Sequence, residues 1–190
     1  MDMIRLAIMA SGSGSNAQKI MEYFADNKHI KVVCLLSNKP YAYALQRAEK
    51  MNIETFVFNR NQFYETPEVE NFLTIRKINL VVLAGFLWLV PEKMVRKFKI
   101  INIHPALLPE YGGKNMYGMR VHEAVIQNRE PFSGITIHHV NEHYDEGNII
   151  FQAKCRVDES DTAESLAEKI HELEHRYYPE VIEKLVSNGL

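Results

Sequence analysis

The chain has 190 residues, 46% hydrophobic and 24% charged, with 9 Gly and 7 Pro. These are the proportions of an ordinary globular protein of about one domain, which excludes a disordered, collagenous or coiled-coil chain. With 22 Lys and Arg against 24 Asp and Glu the formal charge is −2, so no global basic field exists to hold DNA or RNA, and nucleic acid is not an expected partner.

The N-terminal run MDMIRLAIMASGSGSN passes from a short apolar stretch into a glycine loop without the cationic region and cleavage pattern of an export leader. Cys34 and Cys155 stand alone and far apart, which suits a reducing cytoplasm. Ile4–Ala10 reads as the first strand, and Ala17–Phe24 as the helix after the loop. Strands at Val32–Leu36, Thr55–Phe58, Leu80–Phe86 and Ile100–His104 then alternate with helices at Ala42–Met51, Val69–Ile78 and Glu92–Phe98. That alternation predicts βαβ units. Near-continuous apolar strands such as LVVLAGF are what a parallel sheet covered on both faces requires. The run from Leu80 to Val90 contains Gly85 and stops at Pro91, short of the roughly 20 residues of a spanning helix, so no membrane association is expected.

After Pro105 the pattern changes to a loop rich in Pro, Gly and Tyr, a helix around Val121–Asn128, and two strands, Ile135–Val140 and Asn148–Val157, joined by Asn141–Gly147. The tail, Thr162–Leu185, reads as helix, with Ser160, Asp161 and Thr162 as candidate caps and Pro179 breaking or restarting it. With no repeat or linker in view, the expected architecture is one α/β domain over residues 1–190. Its sheet is doubly wound and mostly parallel, extended by antiparallel C-terminal strands.

Ser11-Gly12-Ser13-Gly14-Ser15-Asn16 follows a strand and opens a helix, a place where backbone N–H groups and the helix dipole favour an anion such as phosphate. The same residues also suit a tight turn with Ser15 and Asn16 as caps. Gly12-x-Gly14-x-x-Ala17 fits a relaxed dinucleotide fingerprint. The acidic residue that should follow about 20 residues on is replaced by Ser37-Asn38-Lys39, which weighs against a nicotinamide-binding oxidoreductase.

In Ile101-Asn102-Ile103-His104-Pro105 the period of two puts Asn102 and His104 on one side of a strand that Pro105 ends. That carboxyl end is where open parallel sheets place their ligands. An amide and an imidazole charged by a carboxylate, for which Asp145 is the candidate, could stabilise an oxyanion. Alternatively, Asn102 and His104 satisfy loop backbone and Asp145 initiates a turn before Gly147. His138, His139, His143 and Asp145 lie close together but lack a metal-ligand spacing, so no metal is expected. No G-x-S-x-G elbow marks a nucleophilic serine.

With these pieces in order the sequence resembles the folate-dependent formyltransferases along nearly its whole length. The marks are SGSGSN at 11–16, VVLAGF at 81–86, INIHPALLP at 101–109, YDEGNIIFQAKCRV at 144–157 and EHRYYP at 174–179. The specific part is INIHPALLP followed about forty residues later by Asp145-x-Gly147. The resemblance implies a formyltransferase-like fold with a Rossmann-type N-terminal half. It also implies that 10-formyltetrahydrofolate donates a formyl group to the amine of glycinamide ribonucleotide in purine synthesis, in the cytoplasm, without metal, by a monomer or homodimer. Carried over residue by residue, it makes Asn102, His104 and Asp145 catalytic, gives Gly14, Ser15 and Asn16 the substrate phosphate, and gives Glu174 the ribose. Leu87, Trp88, Leu89 and Val90 would line the folate pocket together with Asn141, Glu142, His143 and Tyr144.

Two places depart from the family pattern. The loop Gly112–Arg120 is longer than in many relatives, and the arginine that many carry after the third strand is missing from Gln62–Thr66, with Arg60 nearby. Within the family, the alternatives are a sugar-nucleotide N-formyltransferase, formyltetrahydrofolate hydrolase and methionyl-tRNA formyltransferase. The last two are disfavoured by a length that leaves no room for their extra domains, and the tRNA enzyme also by the charge of −2.

Overall fold

The computed structural model describes residues 3–189, so the first two residues of the N-terminal run and the last of the expected domain lie outside the described residues. Five strands, β1 (Ile4–Met9), β2 (Ile30–Ser37), β3 (Glu54–Val57), β4 (Leu80–Leu83) and β5 (Lys99–His104), run parallel. Two more, β6 (Phe132–His139) and β7 (Ile149–Arg156), add antiparallel at one edge, giving the order β3-β2-β1-β4-β5-β6-β7. The expected α/β sheet with antiparallel C-terminal strands is the one observed.

Among the described residues seven helices cover it: α1 (Ser15–Tyr23), α2 (Tyr43–Lys50), α3 (Arg60–Tyr64), α4 (Glu68–Ile75), α5 (Glu92–Lys97), α6 (Met119–Gln127) and α7 (Ala163–Ser187). The apolar residues sort into two cores by strand alternation. Leu6, Ile8 and Val82 meet Ile20 of α1, Leu45 of α2, Val125 of α6 and Ile170 of α7. Ala7, Met9 and Val81 meet Phe63 of α3, Leu73 of α4 and Met94 of α5. β1 and β4 are therefore buried on both faces, which explains why their sequences are continuously apolar.

Two expectations need correction. Pro179 neither breaks nor restarts the C-terminal helix, because α7 runs unbroken over 25 residues. A proline inside a helix removes one hydrogen bond and crowds the preceding turn. Here Leu166, Ile170, Glu174, Tyr178 and Ile182 form a buried stripe at i+4 spacing on both sides of it, and tertiary packing outweighs the local cost. The short α3 was not expected, although Asn59 and Gln62 form a capping box at its start. Of the three candidate caps for α7, Thr162 is the one used, reciprocated by Ser165.

Tyr178 ties this helix to the sheet. Its ring is fully buried, and its hydroxyl donates to the Leu83 carbonyl at 2.8 Å, with the Ile101 carbonyl at 3.4 Å. Tyr178→Phe keeps the ring and deprives these buried carbonyls of a donor. Stability should fall by about 1–3 kcal/mol, read as a lower urea midpoint at unchanged slope.

Candidate active site

The helix that follows β1 packs on one face of the sheet and the helix that follows β4 packs on the other. The loops leaving these adjacent strands separate, opening a crevice at their carboxyl ends. It is a cavity of about 420 Å³, walled by segments 11–16, 83–90, 102–105 and 113–118, with His122, His138, Val140, His143, Tyr144, Asp145, His171 and Glu174. Ser11 pins its mouth: its hydroxyl donates to Asn38 Oδ1 at 2.7 Å and accepts from the Leu87 N–H at 3.1 Å, while its own N–H donates to the Gly85 carbonyl at 3.0 Å.

At one end lies the glycine loop. Neither Ser15 nor Asn16 caps α1. The cap position is Gly14, at φ 72, with no side-chain hydrogen bond and no acidic residue in the first turn. A Cβ on Gly14 would meet the Ala44 Cβ at 2.5 Å, so glycine is required there by the turn and by helix packing, whatever the loop binds. A Cβ on Gly12 would meet nothing within 4 Å. Asn16 instead turns to α7, where its Nδ2 donates to Glu174 Oε2 at 3.0 Å, leaving its buried Oδ1 without a partner. Glu174 is 6% exposed. Burial pushes its carboxyl above the usual range, against the pull of the Asn16 amide and nearby His171.

At the other end β5 delivers Asn102 and His104, and the β6–β7 connection returns Asp145 to them. Asp145 takes a left-handed φ of 58, which aspartate tolerates, and its Oδ2 accepts the Gly113 N–H at 3.0 Å. Three side chains surround it at longer range: Asn102 Nδ2 at 3.4 Å, His104 Nδ1 at 3.5 Å and His138 Nε2 at 3.6 Å. Burial pushes the Asp145 carboxyl up, but His138, His104 and the Gly113 N–H together hold it below its usual value. For His104 the balance falls the other way. Burial lowers its pKa more than Asp145 and the Tyr111 carbonyl raise it, so the charged ring is disfavoured relative to a free imidazole.

Both His104 nitrogens nevertheless face acceptors. Nε2 lies 2.8 Å from the Tyr111 carbonyl and Nδ1 faces Asp145. Either neutral tautomer sets a lone pair against an oxygen, so the ring is poised to take a second proton once negative charge develops beside it.

The structure brings together every expected catalytic, phosphate and ribose residue. Leu87, Trp88, Leu89, Val90, His143 and Tyr144 also line the cavity, whereas Asn141 and Glu142 do not. Asn141 holds a turn, accepting the His143 N–H at 3.0 Å. Arg60 stacks on the Tyr64 and Trp88 rings, 4.8 and 5.9 Å from their centroids, outside the cavity wall. Among the described residues no three His, Cys, Asp or Glu side chains converge to hold a cation.

His138 is the site residue that the sequence left unassigned. It pairs with Asn102 across β5 and β6, its Nδ1 donates to the His139 carbonyl at 2.9 Å, and its Nε2 lies 3.2 Å from Asn102 Nδ2 and 3.6 Å from Asp145. The period of two, which turns His138 inward and His139 outward, is the signal that marks it.

Comparison with known proteins places these features in company. A family model described as "Formyl transferase" matches residues 4–182. The chloroplastic phosphoribosylglycinamide formyltransferase of Arabidopsis thaliana is 40% identical over 186 residues, covering 94% of this chain and 64% of that protein, so the chain spans less than two thirds of its length. The phosphoribosylglycinamide formyltransferase of Bacillus subtilis is 35% identical over 192 residues, covering 97% of this chain and 95% of that one. The crystal structure of the Anaplasma phagocytophilum phosphoribosylglycinamide formyltransferase superposes with a TM-score of 0.88 at 34% identity, covering 97% of this chain and 87% of that one.

The glycine loop yields a stability prediction. Gly14→Ala should destabilise the fold by about 2–5 kcal/mol through backbone strain and the Ala44 overlap. Gly12→Ala should stay within about 1 kcal/mol of the parent. Thermal unfolding of the two variants checks this.

Proposed function

The chain belongs to the formyl transferase family, and on that premise we propose that it transfers the formyl group of 10-formyltetrahydrofolate to the amine of glycinamide ribonucleotide. The observation that carries the proposal is the set of 3.4–3.6 Å spacings around Asp145. They exceed ordinary hydrogen bonds yet are too short to admit an oxygen between the atoms, so three polar side chains converge on one carboxylate without being held fast by it and can turn to a reacting oxygen placed beside them.

In this reading the glycine loop and the α1 N-terminus receive the substrate phosphate, and Asn16 with Glu174 the ribose. The aromatic-backed wall 87–90, with Phe58, Phe63 and Phe86 packed around Trp88, suits a flat folate ring. The amine attacks the formyl carbon, and the carbonyl electron pair moves onto oxygen. One Asn102 N–H leaves its long contact with Asp145 to meet that oxygen, while His104, taking a proton from solvent as the negative charge grows and returning it when the carbonyl reforms, donates from Nδ1. Nδ1 is the atom available because Nε2 is held by Tyr111. Asp145 then carries the amine proton, through a water, toward the departing folate nitrogen. Expulsion of that nitrogen reforms the carbonyl. His138, whose Nε2 lies 3.2 Å from the Asn102 amide nitrogen, orients the amide throughout.

The test is incubation with 10-formyltetrahydrofolate and candidate amines, with the product read by mass. Formylated glycinamide ribonucleotide is expected, and transfer only to a sugar-nucleotide amine would sink the substrate assignment.

Asp145→Asn removes the charge that raises the His104 pKa, so that pKa should fall further below 6.5. Turnover should drop by about 10³ while substrate affinity changes much less, since the charge acts mainly in the transition state. Near-normal turnover, or an unmoved His104 titration by NMR, would return Asp145 to the role of a turn residue. Gly12→Ala, sterically free within the protein, should weaken glycinamide ribonucleotide by about tenfold and a folate analogue hardly at all, as read by calorimetry.

A further inference from the structure

One short segment reaches both reacting groups through its backbone. The Tyr111 carbonyl faces His104 Nε2 at 2.8 Å, and two residues on, the Gly113 N–H donates to Asp145 at 3.0 Å. Tyr111 holds its carbonyl there from a left-handed φ of 56, a conformation that bulky residues rarely keep without outside support. The support comes from its own side chain. The phenol donates to Glu130 Oε1 at 2.7 Å and accepts from Asn128 Nδ2 at 2.9 Å, both in the turn that ends α6. That turn is itself fixed, with the Asn128 and Arg129 N–H groups bonded to the Ala124 and Ile126 carbonyls, and with Val121 and Val125 of α6 buried in the core.

We infer that Tyr111 is a positioning residue, whose phenol latches onto the α6 turn so that its carbonyl fixes the His104 ring with Nδ1 left for the reaction. The inference rests on the formyl-transfer reading of the site. Without the carbonyl, the ring loses the partner that selects Nε2–H and is free to rotate or exchange tautomers.

The groups that face His104 are Asp145 from the β6–β7 connection, His138 on β6, His122 on α6 and the Tyr111 carbonyl. The carboxylate and the carbonyl favour the charged ring, and burial and His138 oppose it. Loosening the carbonyl removes a contact that favours the cation. The His104 pKa should fall, and the alkaline limb of activity, where the ring loses its proton, should move to lower pH.

The experiment compares Tyr111→Phe, Glu130→Ala and Glu130→Gln by NMR titration of His104 in the ligand-free protein and by the pH profile of kcat. Tyr111→Phe and Glu130→Ala should both lower the His104 pKa and reduce kcat near neutral pH by about tenfold, with KM values within about twofold. Glu130→Gln keeps an acceptor for the phenol and should retain the wild-type titration. Combining Tyr111→Phe with Glu130→Ala should cost no more than either alone.

An unmoved His104 titration in Tyr111→Phe overturns the latch, as does a Glu130→Gln variant as impaired as Glu130→Ala. If Tyr111→Phe does not fold, Glu130→Ala, altered at a partly exposed turn, decides by the same titration. A wild-type protein that formylates nothing, yet shows the titration shifts, overturns the functional reading and leaves the latch standing.

Discussion

Everything in the site follows from the reversal of winding direction between β1 and β4. From β1 the chain steps outward to β2 and β3, then returns to the other side of β1 to lay down β4 and β5. Right-handed crossovers put the helices of the two halves on opposite faces. The glycine loop and the 84–90 segment must therefore part company as they leave neighbouring strands. Ser11 prevents the parting from becoming disorder, because its single hydroxyl bridges Asn38 at the end of β2 and the Leu87 N–H beyond β4. The antiparallel β6 then brings His138 opposite Asn102 and closes the far wall.

At the reacting end two opposing terms decide which groups carry charge. Burial penalises every charged form, and only specific partners offset it. Asp145 has enough of them, one backbone N–H and three side chains nearby, to remain an anion. His104 has two acceptors, but its enclosure outweighs them and lowers its pKa below that of a free imidazole. A standing ion pair at this depth would dissipate part of its attraction in the ground state. A histidine that becomes charged only when an oxyanion appears beside it contributes more to the transition state than to the resting enzyme.

Much of this was legible in the residues, for physical reasons. Strands buried on both faces need unbroken apolar runs, so LVVL and CLLS announce a parallel sheet. Asn102 and His104 announce a site because the period of two puts two polar groups together at a strand end. Pro179 misleads because local propensity is weaker than the buried stripe it sits in. His138 escapes assignment because its meaning depends on pairing with a residue 36 positions away. Asn141 and Glu142 are missing from the cavity wall although Val140 and His143 beside them line it, and Asn141 spends its side-chain oxygen on the His143 N–H, a local turn that residue types alone do not announce.

Backbone groups are the least legible part, since any residue type supplies a carbonyl or an N–H. The partners of His104 and Asp145 in segment 111–113 are of this kind. What residue type does determine is whether the backbone can be held in place. A tyrosine at a left-handed φ, with its hydroxyl tied down elsewhere, is such a holder. The end beside the glycine loop works by a different rule. There burial raises Glu174, so its carboxyl drifts toward neutrality. Less standing negative charge would then remain to repel the phosphate of the proposed substrate, and the N–H groups of the α1 terminus would supply attraction. Charge is thus kept low where an anion would be held and is allowed to appear where a bond would change, and this division follows from which end of the cavity has backbone N–H groups to spend.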